Sequence, residues 1–410
     1  MPFCGLSLLT HAFAAIIIAV NEGGIEADSS PASQRIGINA HLLADEESYR
    51  RAGVSRYIYN LLVHLSAVDP EGDYTVFLNR RCVLSVPHRQ RCSQLATHNP
   101  AVRILWEQLL QPPQLVAGGI ALLHSPINIQ PLFLPCKGVI TVMDLAFVVY
   151  PESFKPLQRV YQRVFTRLSV RRASRVITIS SSTAQDLNRF FAVPVSNTAV
   201  IFPGVDAAYR PIHDEPVLDS FRRRHSLPEK FILFVGTLEP RKNLVMLLDA
   251  YAQFRRQANT GHKLVLAGAK GWLYQPIFAA VEELGLQEEV LFPGFVAEDE
   301  LPLWYNVADV FVYPSLYEGF GLPPLEALAC GKPVAVAAAS SLPEVVGDAA
   351  LCIDPHQPEA WAVALSRLCQ DANLRSELAA RALERARQFS WTRMARETVK
   401  VYRDVLAGGE

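Results

Sequence analysis

After residue 34 the chain alternates short, continuously apolar runs with longer amphipathic segments, the pattern of parallel strands covered by helices on both faces. In the first half the runs are RIGINA (35–40), YTVFL (74–78), ALLHS (121–125), GVITVM (138–143), RVITIS (175–180) and TAVIF (198–202). Between them GVSRYIYNLLVHLSAV (53–68) and the segment from Leu157 to Ala173 carry apolar residues at helical spacing. The second half restarts the rhythm with FILFVG (231–236), KLVLAG (263–268), VLFPG (290–294), VFVYP (310–314) and PVAVA (333–337). Two doubly wound α/β domains follow from this. The stretch PGVDAAYRPIHDEP (203–216), rich in proline and charge, separates the two series. The predicted boundaries are 34–205 for the first domain, 206–225 for a linker and 226–390 for the second domain. The last helix, within 391–410, has no strand after it and is expected to cross back onto the first domain.

Residues 1–33 stand apart. The run GLSLLTHAFAAIIIAV (5–20) has no basic residue ahead of it, the first positive side chain being Arg35, and it is shorter than the ~20 residues that span a bilayer. It reads as a loose tail or a misassigned start ahead of a working export signal. The length of 410 residues agrees with two domains and a cleft between them. Half the residues are hydrophobic, 19% are charged and the formal net charge is -1, which disfavours a disordered chain and a nucleic-acid partner. The seven cysteines are odd in number and scattered, with no Cys-x-x-Cys pair. They read as reduced thiols of a cytoplasmic protein. With no His-Glu-x-x-His and no Asp-x-Asp pattern, neither a metal nor a cofactor is expected.

The chemistry concentrates in YPSLYEGFGLPPLEALACGKPVAVA (313–337). A strand ends, the chain bends through Gly319 and Gly321, and a helix starts near Pro323 and Pro324. Free amides at such a start, with the helix dipole, favour an anion by about 0.3–1 kcal/mol, so a diphosphate suits the bend. Glu326, in the first turns of the helix, suits the hydroxyl donors of a ribose, and Glu318 faces whatever lies beyond the phosphates. The competing reading is two ordinary helix-start acids beside a tight turn. A second clue is FVGTLEPRKN (234–243), where Gly236 and Thr237 end a strand and Arg241 and Lys242 stand beside a helix start. Cations at a strand's carboxyl end bind anions in this kind of fold, and the alternative is a solvated basic loop.

Taken together, GTLEPRKN (236–243), LAGAKGW (266–272), FPGFV (292–296) and EGFGLPPLEALACGKPV (318–334) resemble the donor half of the retaining glycosyltransferases of family 4. WEQLL (106–110), LLHSP (122–126), DLAF (144–147) and GVSRYIYNLL (53–62) extend the resemblance over about residues 35–407. It implies the GT-B fold, two Rossmann-like domains facing each other across a cleft. Glu318 and Glu326, eight positions apart, match the family's Glu-x7-Glu signature. By this resemblance Lys242 meets the diphosphate, Glu326 holds the ribose and Glu318 lies near the transferred sugar. Gly319, Phe320 and Gly321 offer backbone amides to the phosphates, Phe295 and Val296 border the base, and Gly53 approaches from the opposite domain.

The sequence departs from the family twice. Thr237 stands where many members have arginine, so Arg241 is expected to supply the second positive charge. Met143 stands where many have a histidine before Asp144, and His124 is the expected partial replacement, against the alternative of a structural histidine at a strand end. The implied activity is transfer of a sugar from a GDP- or UDP-sugar to a glycan or lipid-linked hydroxyl, with retention and without metal. GDP-mannose is the expected donor, since GTLEPRKN with KGW looks most like bacterial polysaccharide mannosyltransferases. The rivals are a UDP-sugar transferase, a nucleotide-sugar epimerase of the same fold and a binding relative with a degraded site. Finally, Arg159, Arg163, Arg167, Arg171 and Arg175 recur every four positions beside Val160, Val164, Phe165 and Leu168. Such a basic amphipathic helix suits the anionic inner face of a membrane, against the alternative of a solvated face over packed apolar residues.

Overall fold

The computed structural model describes residues 34–43, 53–79, 84–97, 99–258 and 260–408; the apolar N-terminal run lies outside them. The apolar runs become strands because both of their faces are covered: β2 (Tyr74–Leu78) and β12 (Val334–Ala337) are buried at every residue. In the first domain β1 (Arg35–Asn39), β2, β3 (Arg89–Cys92), β4 (Ile120–Ser125), β5 (Lys137–Val142), β6 (Arg175–Thr178) and β7 (Thr198–Val200) form a parallel sheet in the order β3-β2-β1-β4-β5-β6-β7. The second holds β8 (Phe231–Val235), β9 (Lys263–Ala267), β10 (Val290–Gly294), β11 (Val310–Tyr313), β12 and β13 (Leu351–Ile353), in the order β10-β9-β8-β11-β12-β13. This is the GT-B arrangement.

In each sheet the strand order turns back once, between β1 and β4 and between β8 and β11. A doubly wound sheet leaves its crevice beyond the carboxyl ends of such strands. The Lys242 loop follows β8, the Glu318 bend follows β11, and the Gly53 helix (Val54–Val68) is the first element to follow β1 among the described residues. The sequence motifs therefore sit at the two reversals.

Three differences from the sequence reading have physical causes. The expected linker 206–225 contains a helix, Glu215–Arg224, capped by the Asp214 side chain. Its Leu218 and Phe221 are buried, and Phe221 stands edge-on to Trp304 at 5.5 Å, so this helix packs with the second domain and the connection shortens. β3 was not expected because its sequence, RQRC, is an exposed edge strand with no apolar face. The arginine-rich helix runs Pro156–Arg172, so Arg175 lies on β6 instead, where its guanidinium donates to the Ser196 carbonyl.

The C-terminal helix, Trp391–Leu406, lies against the Val54–Val68 helix and against β4 and β5. Polar contacts fix it there: Lys137 Nζ donates to the Val405 carbonyl at 2.7 Å, and Arg403 pairs with Asp69 at 2.7 Å. Among the described residues no helix is long and apolar enough to cross a membrane.

Candidate active site

A cavity of about 830 Å³ opens between the two domains, of the size that holds a small ligand. Its floor is the bend after β11. A Cβ added to Gly319 would meet the Met143 carbonyl oxygen at 2.1 Å, so the bend presses on the end of β5 as only glycine can. Gly321 caps the Leu322–Ala329 helix with φ at 114°, a conformation that favours glycine. Ser341 Oγ donates to the carbonyls of Glu318 (2.9 Å) and Phe320 (2.7 Å) and holds the bend in shape. The Phe320 ring packs in the core against Phe202 and Phe389, which leaves its backbone for the cavity. Pro323 and Pro324 carry no N–H, so the backbone amides beside the cavity are those of the bend, Gly319 to Leu322.

Against this floor stands a compact charge cluster. Lys242 is buried at the end of a 3₁₀ turn (Pro240–Lys242), and its Nζ donates to Glu318 Oε1 at 2.5 Å and to the Tyr313 hydroxyl at 2.7 Å. Arg241 reaches the other oxygen of Glu318 at 3.1 Å and Glu239 at 2.7 Å, and its NH1 donates to the Tyr317 carbonyl at 2.5 Å. Ser315 Oγ donates to Glu318 Oε1 at 2.5 Å.

Burial alone would raise the Glu318 pKa, but Arg241 and Lys242 outweigh it and hold the carboxyl at about 2. Burial also works against the charge of Arg241, yet Glu318, Glu239 and Asp144 overcome it and keep the guanidinium protonated. For Lys242 burial draws the pKa down, while adjacent Glu318 restrains the drop. Glu318 and Arg241 are therefore ionised at neutral pH.

Glu326 is buried one turn into the Leu322–Ala329 helix. Its Oε2 accepts from the Tyr305 hydroxyl at 2.7 Å, and its Oε1 accepts from Arg56 of the first domain. Gly236 and Thr237 line the cavity beside the cation loop, and Phe295, 59% exposed, forms its rim with Val296. From the first domain come Gly53, Met143 and Asp144. Burial pushes the Asp144 carboxyl pKa up, with Arg241 opposing, and its Oδ1 accepts from the Ala146 amide at 3.0 Å. Almost the whole set named from sequence therefore meets in one cavity.

His124 is the exception and does not line it. It is wholly buried on β4, with Nδ1 hydrogen-bonded to the Tyr402 hydroxyl at 2.5 Å and Nε2 to Thr141 Oγ1 at 2.8 Å. Both ring nitrogens are satisfied, one by the C-terminal helix and one by β5, so this histidine is not available to a sugar. Met143 has no such replacement among the described residues lining the cavity.

Sequence reasoning missed Arg56, Tyr305, Tyr313 and Ser315, which orient the two glutamates. Arg56 lies inside the quoted segment GVSRYIYNLL, but one arginine on an amphipathic helix reads as a surface charge. Among the described residues no cluster of histidine, cysteine, aspartate or glutamate is arranged to hold a metal ion.

The chain resembles known glycosyltransferases in both of its domains. The model for glycosyl transferases group 1 matches residues 218–387, and that for glycosyltransferase family 4 matches residues 51–209. O-antigen chain mannosyltransferase B of Escherichia coli is 33% identical over 268 residues, 65% of this chain and 70% of that one. The serotype-specific mannosyltransferase WbdA of Escherichia coli is 31% identical over 284 residues, 67% of this chain but only 34% of that protein. Among solved structures, a sucrose-phosphate synthase from Thermosynechococcus elongatus superposes with a TM-score of 0.74 at 24% identity, over 92% of this chain and 100% of that one.

Proposed function

Since the chain belongs to the glycosyl transferases group 1, with a first domain of glycosyltransferase family 4, we propose that it moves mannose from GDP-mannose to a hydroxyl of a growing polysaccharide or glycolipid. That it is a retaining glycosyltransferase follows from the family; the donor and acceptor are the proposal. The observation that carries the chemistry is the Lys242–Glu318–Arg241 cluster beside the helix start at Gly321. The mannose assignment is supported by the two Escherichia coli mannosyltransferases.

In the proposed reaction the bond from the anomeric carbon to the diphosphate breaks and a bond to the acceptor oxygen forms on the same face. The acceptor proton passes to the leaving diphosphate oxygen, so no separate protein base is required. Negative charge grows on that diphosphate, where Lys242, Arg241 and the free amides are already oriented, and they stabilise the transition state more than the substrate. Glu318, kept ionised, presents acceptor oxygens to the sugar hydroxyls. Lysine and arginine do here what a divalent cation does in metal-dependent transferases. Activity is accordingly expected to persist in EDTA.

The test is incubation with GDP-mannose and UDP-sugars, with and without mannose-containing acceptors, following diphosphate release. Acceptor-dependent GDP release with an α-linked product is expected. Turnover of UDP-sugars alone would reverse the donor assignment, and an isomerised sugar nucleotide without acceptor would mean an epimerase. An absolute need for magnesium or manganese would overturn the metal-free reading.

We further propose that the enzyme works at an anionic membrane face through the Pro156–Arg172 helix. There Arg159, Arg163, Arg167 and Arg171 are exposed together with Leu157 (84%), Val160 (54%) and Val164 (46%). At ~1 kcal/mol per basic residue such a face supplies several kcal/mol of reversible, salt-sensitive attachment, and the exposed apolar side chains add to it. Protein starting near Ser33 should sediment with anionic liposomes at low salt and be released at high salt or by Arg159, Arg163 and Arg167→Glu. Indifference to anionic liposomes at low salt would leave the helix as a solvated face.

A further inference from the structure

One arginine at the cavity has no part in the transfer chemistry and yet makes more bonds than any other cation there. Arg56 lies on the first-domain helix Val54–Val68, with its side chain 8% exposed. Its Nε (3.0 Å) and NH2 (2.5 Å) both donate to Asp206 Oδ2, in the connection between the domains, and its NH1 donates to Glu326 Oε1 of the second domain. The guanidinium stands 5.0 Å from the centre of the Tyr209 ring, and Nε is 3.5 Å from Glu298 on the base rim. One fork therefore joins the first domain, the connection and the second domain, and it does so at Glu326.

A carboxylate offers about four lone-pair sites, two on each oxygen. On Glu326 one site of Oε1 is taken by Arg56 and one of Oε2 by Tyr305, which fixes the plane of the group and leaves one acceptor site on each oxygen. Two parallel acceptor sites on one carboxylate match a cis-diol, whose two O–H donors sit side by side. We infer that Arg56 is a positioning residue for ribose: by locking Glu326 it presents the carboxylate to the 2′,3′-diol of a nucleoside diphosphate. The inference rests on the nucleotide reading above and assigns the partner of Arg56 within it.

The charge balance explains why no neutral residue could do this. Arg56 is the cation shared by Glu326 and Asp206, with Glu298 nearby. Removing it would leave the buried Glu326 carboxylate without its cation and facing the part-exposed Asp206, which costs more than the pairing itself contributes. Because the guanidinium belongs to the first domain, parting the domains breaks its bond to Glu326. A diol that needs the locked carboxylate therefore favours the closed arrangement, and closure favours the diol by the same factor.

The experiment is a chemical double-mutant cycle on the nucleoside diphosphate that the parent enzyme binds, GDP or UDP, and its 2′,3′-dideoxy form. Arg56→Gln should weaken binding of the ribonucleotide about tenfold and of the dideoxy form less than about twofold. Tyr305→Phe, which disturbs Glu326 from inside the second domain, should show the same dependence on the diol. Inorganic pyrophosphate, which needs only the cations and amides, should bind both variants as it binds the parent, reporting an intact fold. Equal losses for the two nucleotides in Arg56→Gln, with pyrophosphate binding intact, would overturn the inference and leave the nucleotide reading standing. A parent that binds neither GDP nor UDP would overturn both.

Discussion

Replacing Lys242 by alanine is expected to lower kcat/KM by about 10²–10³-fold, the loss seen when one preorganised charge-stabilising donor is removed from a transfer site. The ammonium is buried, faces Glu318 and Tyr313, and has no neighbour able to take over: Arg241 is already divided among Glu318, Glu239 and the Tyr317 carbonyl. Removal leaves that end of the cavity with one committed cation and Glu318 with one partner fewer. Free nucleotide diphosphate should bind more weakly as well, since charge on the phosphates is present before the reaction. Glu318→Gln should differ in kind. It keeps the shape and removes the charge proposed to meet the sugar hydroxyls, so kcat should fall while the affinity for free GDP or UDP changes little. Steady-state kinetics beside calorimetric binding separate the two cases. Equal losses of turnover and nucleotide affinity in Glu318→Gln would move Glu318 into the nucleotide pocket. A Lys242→Ala enzyme within about threefold of the parent would remove Lys242 from the reaction.

Much of this site was legible in the chain because its parts are local. The bend at Gly319 and Gly321 and the acids of the Glu-x7-Glu spacing lie within one short stretch. The central strands announce themselves because burial on both faces demands continuous apolar runs. What could not be read is of two kinds. Elements without an apolar signature are silent, as with β3, whose RQRC sequence pairs only along the backbone at a sheet edge. Contacts between distant residues are silent too: nothing in the sequence brings Lys242 to Glu318, 76 positions away, or Arg56 to Glu326, 270 positions away. The sequence supplied the carboxylates, and only the fold shows which donors hold them. The same limit explains His124, whose place at a strand end beside a familiar motif says nothing about the tyrosine waiting 278 positions on.

The second large effect is therefore expected in stability rather than turnover. His124→Ala should reduce the unfolding free energy by about 3–5 kcal/mol, combining a cavity in the first sheet with the stranding of the Tyr402 and Thr141 hydroxyls. Those hydroxyls tie the C-terminal helix to β4 and β5, so the loss should extend to the docking of that helix. Protonation provides a second handle. Burial lowers the His124 pKa from 6.5 to about 3, so the folded protein holds it neutral while the unfolded chain takes up a proton below pH 6.5. Its contribution is thus fully present above about pH 6.5 and is lost as the pH falls toward 3. His41, also lowered to about 3 by burial and by Arg103, keeps a similar slope in the variant. Glu107, raised to about 7 by burial, acts in the opposite sense and gives up its contribution as the pH rises through 7. Denaturant titrations of parent and His124→Ala between pH 4 and 8 should converge toward acid pH, because the variant has one fewer histidine to protonate on unfolding. Turnover per folded molecule should stay near that of the parent at low temperature, since His124 is held by the brace and lies outside the cavity. A variant that unfolds with the parent but loses turnover would return His124 to the reaction and make the Tyr402 contact incidental.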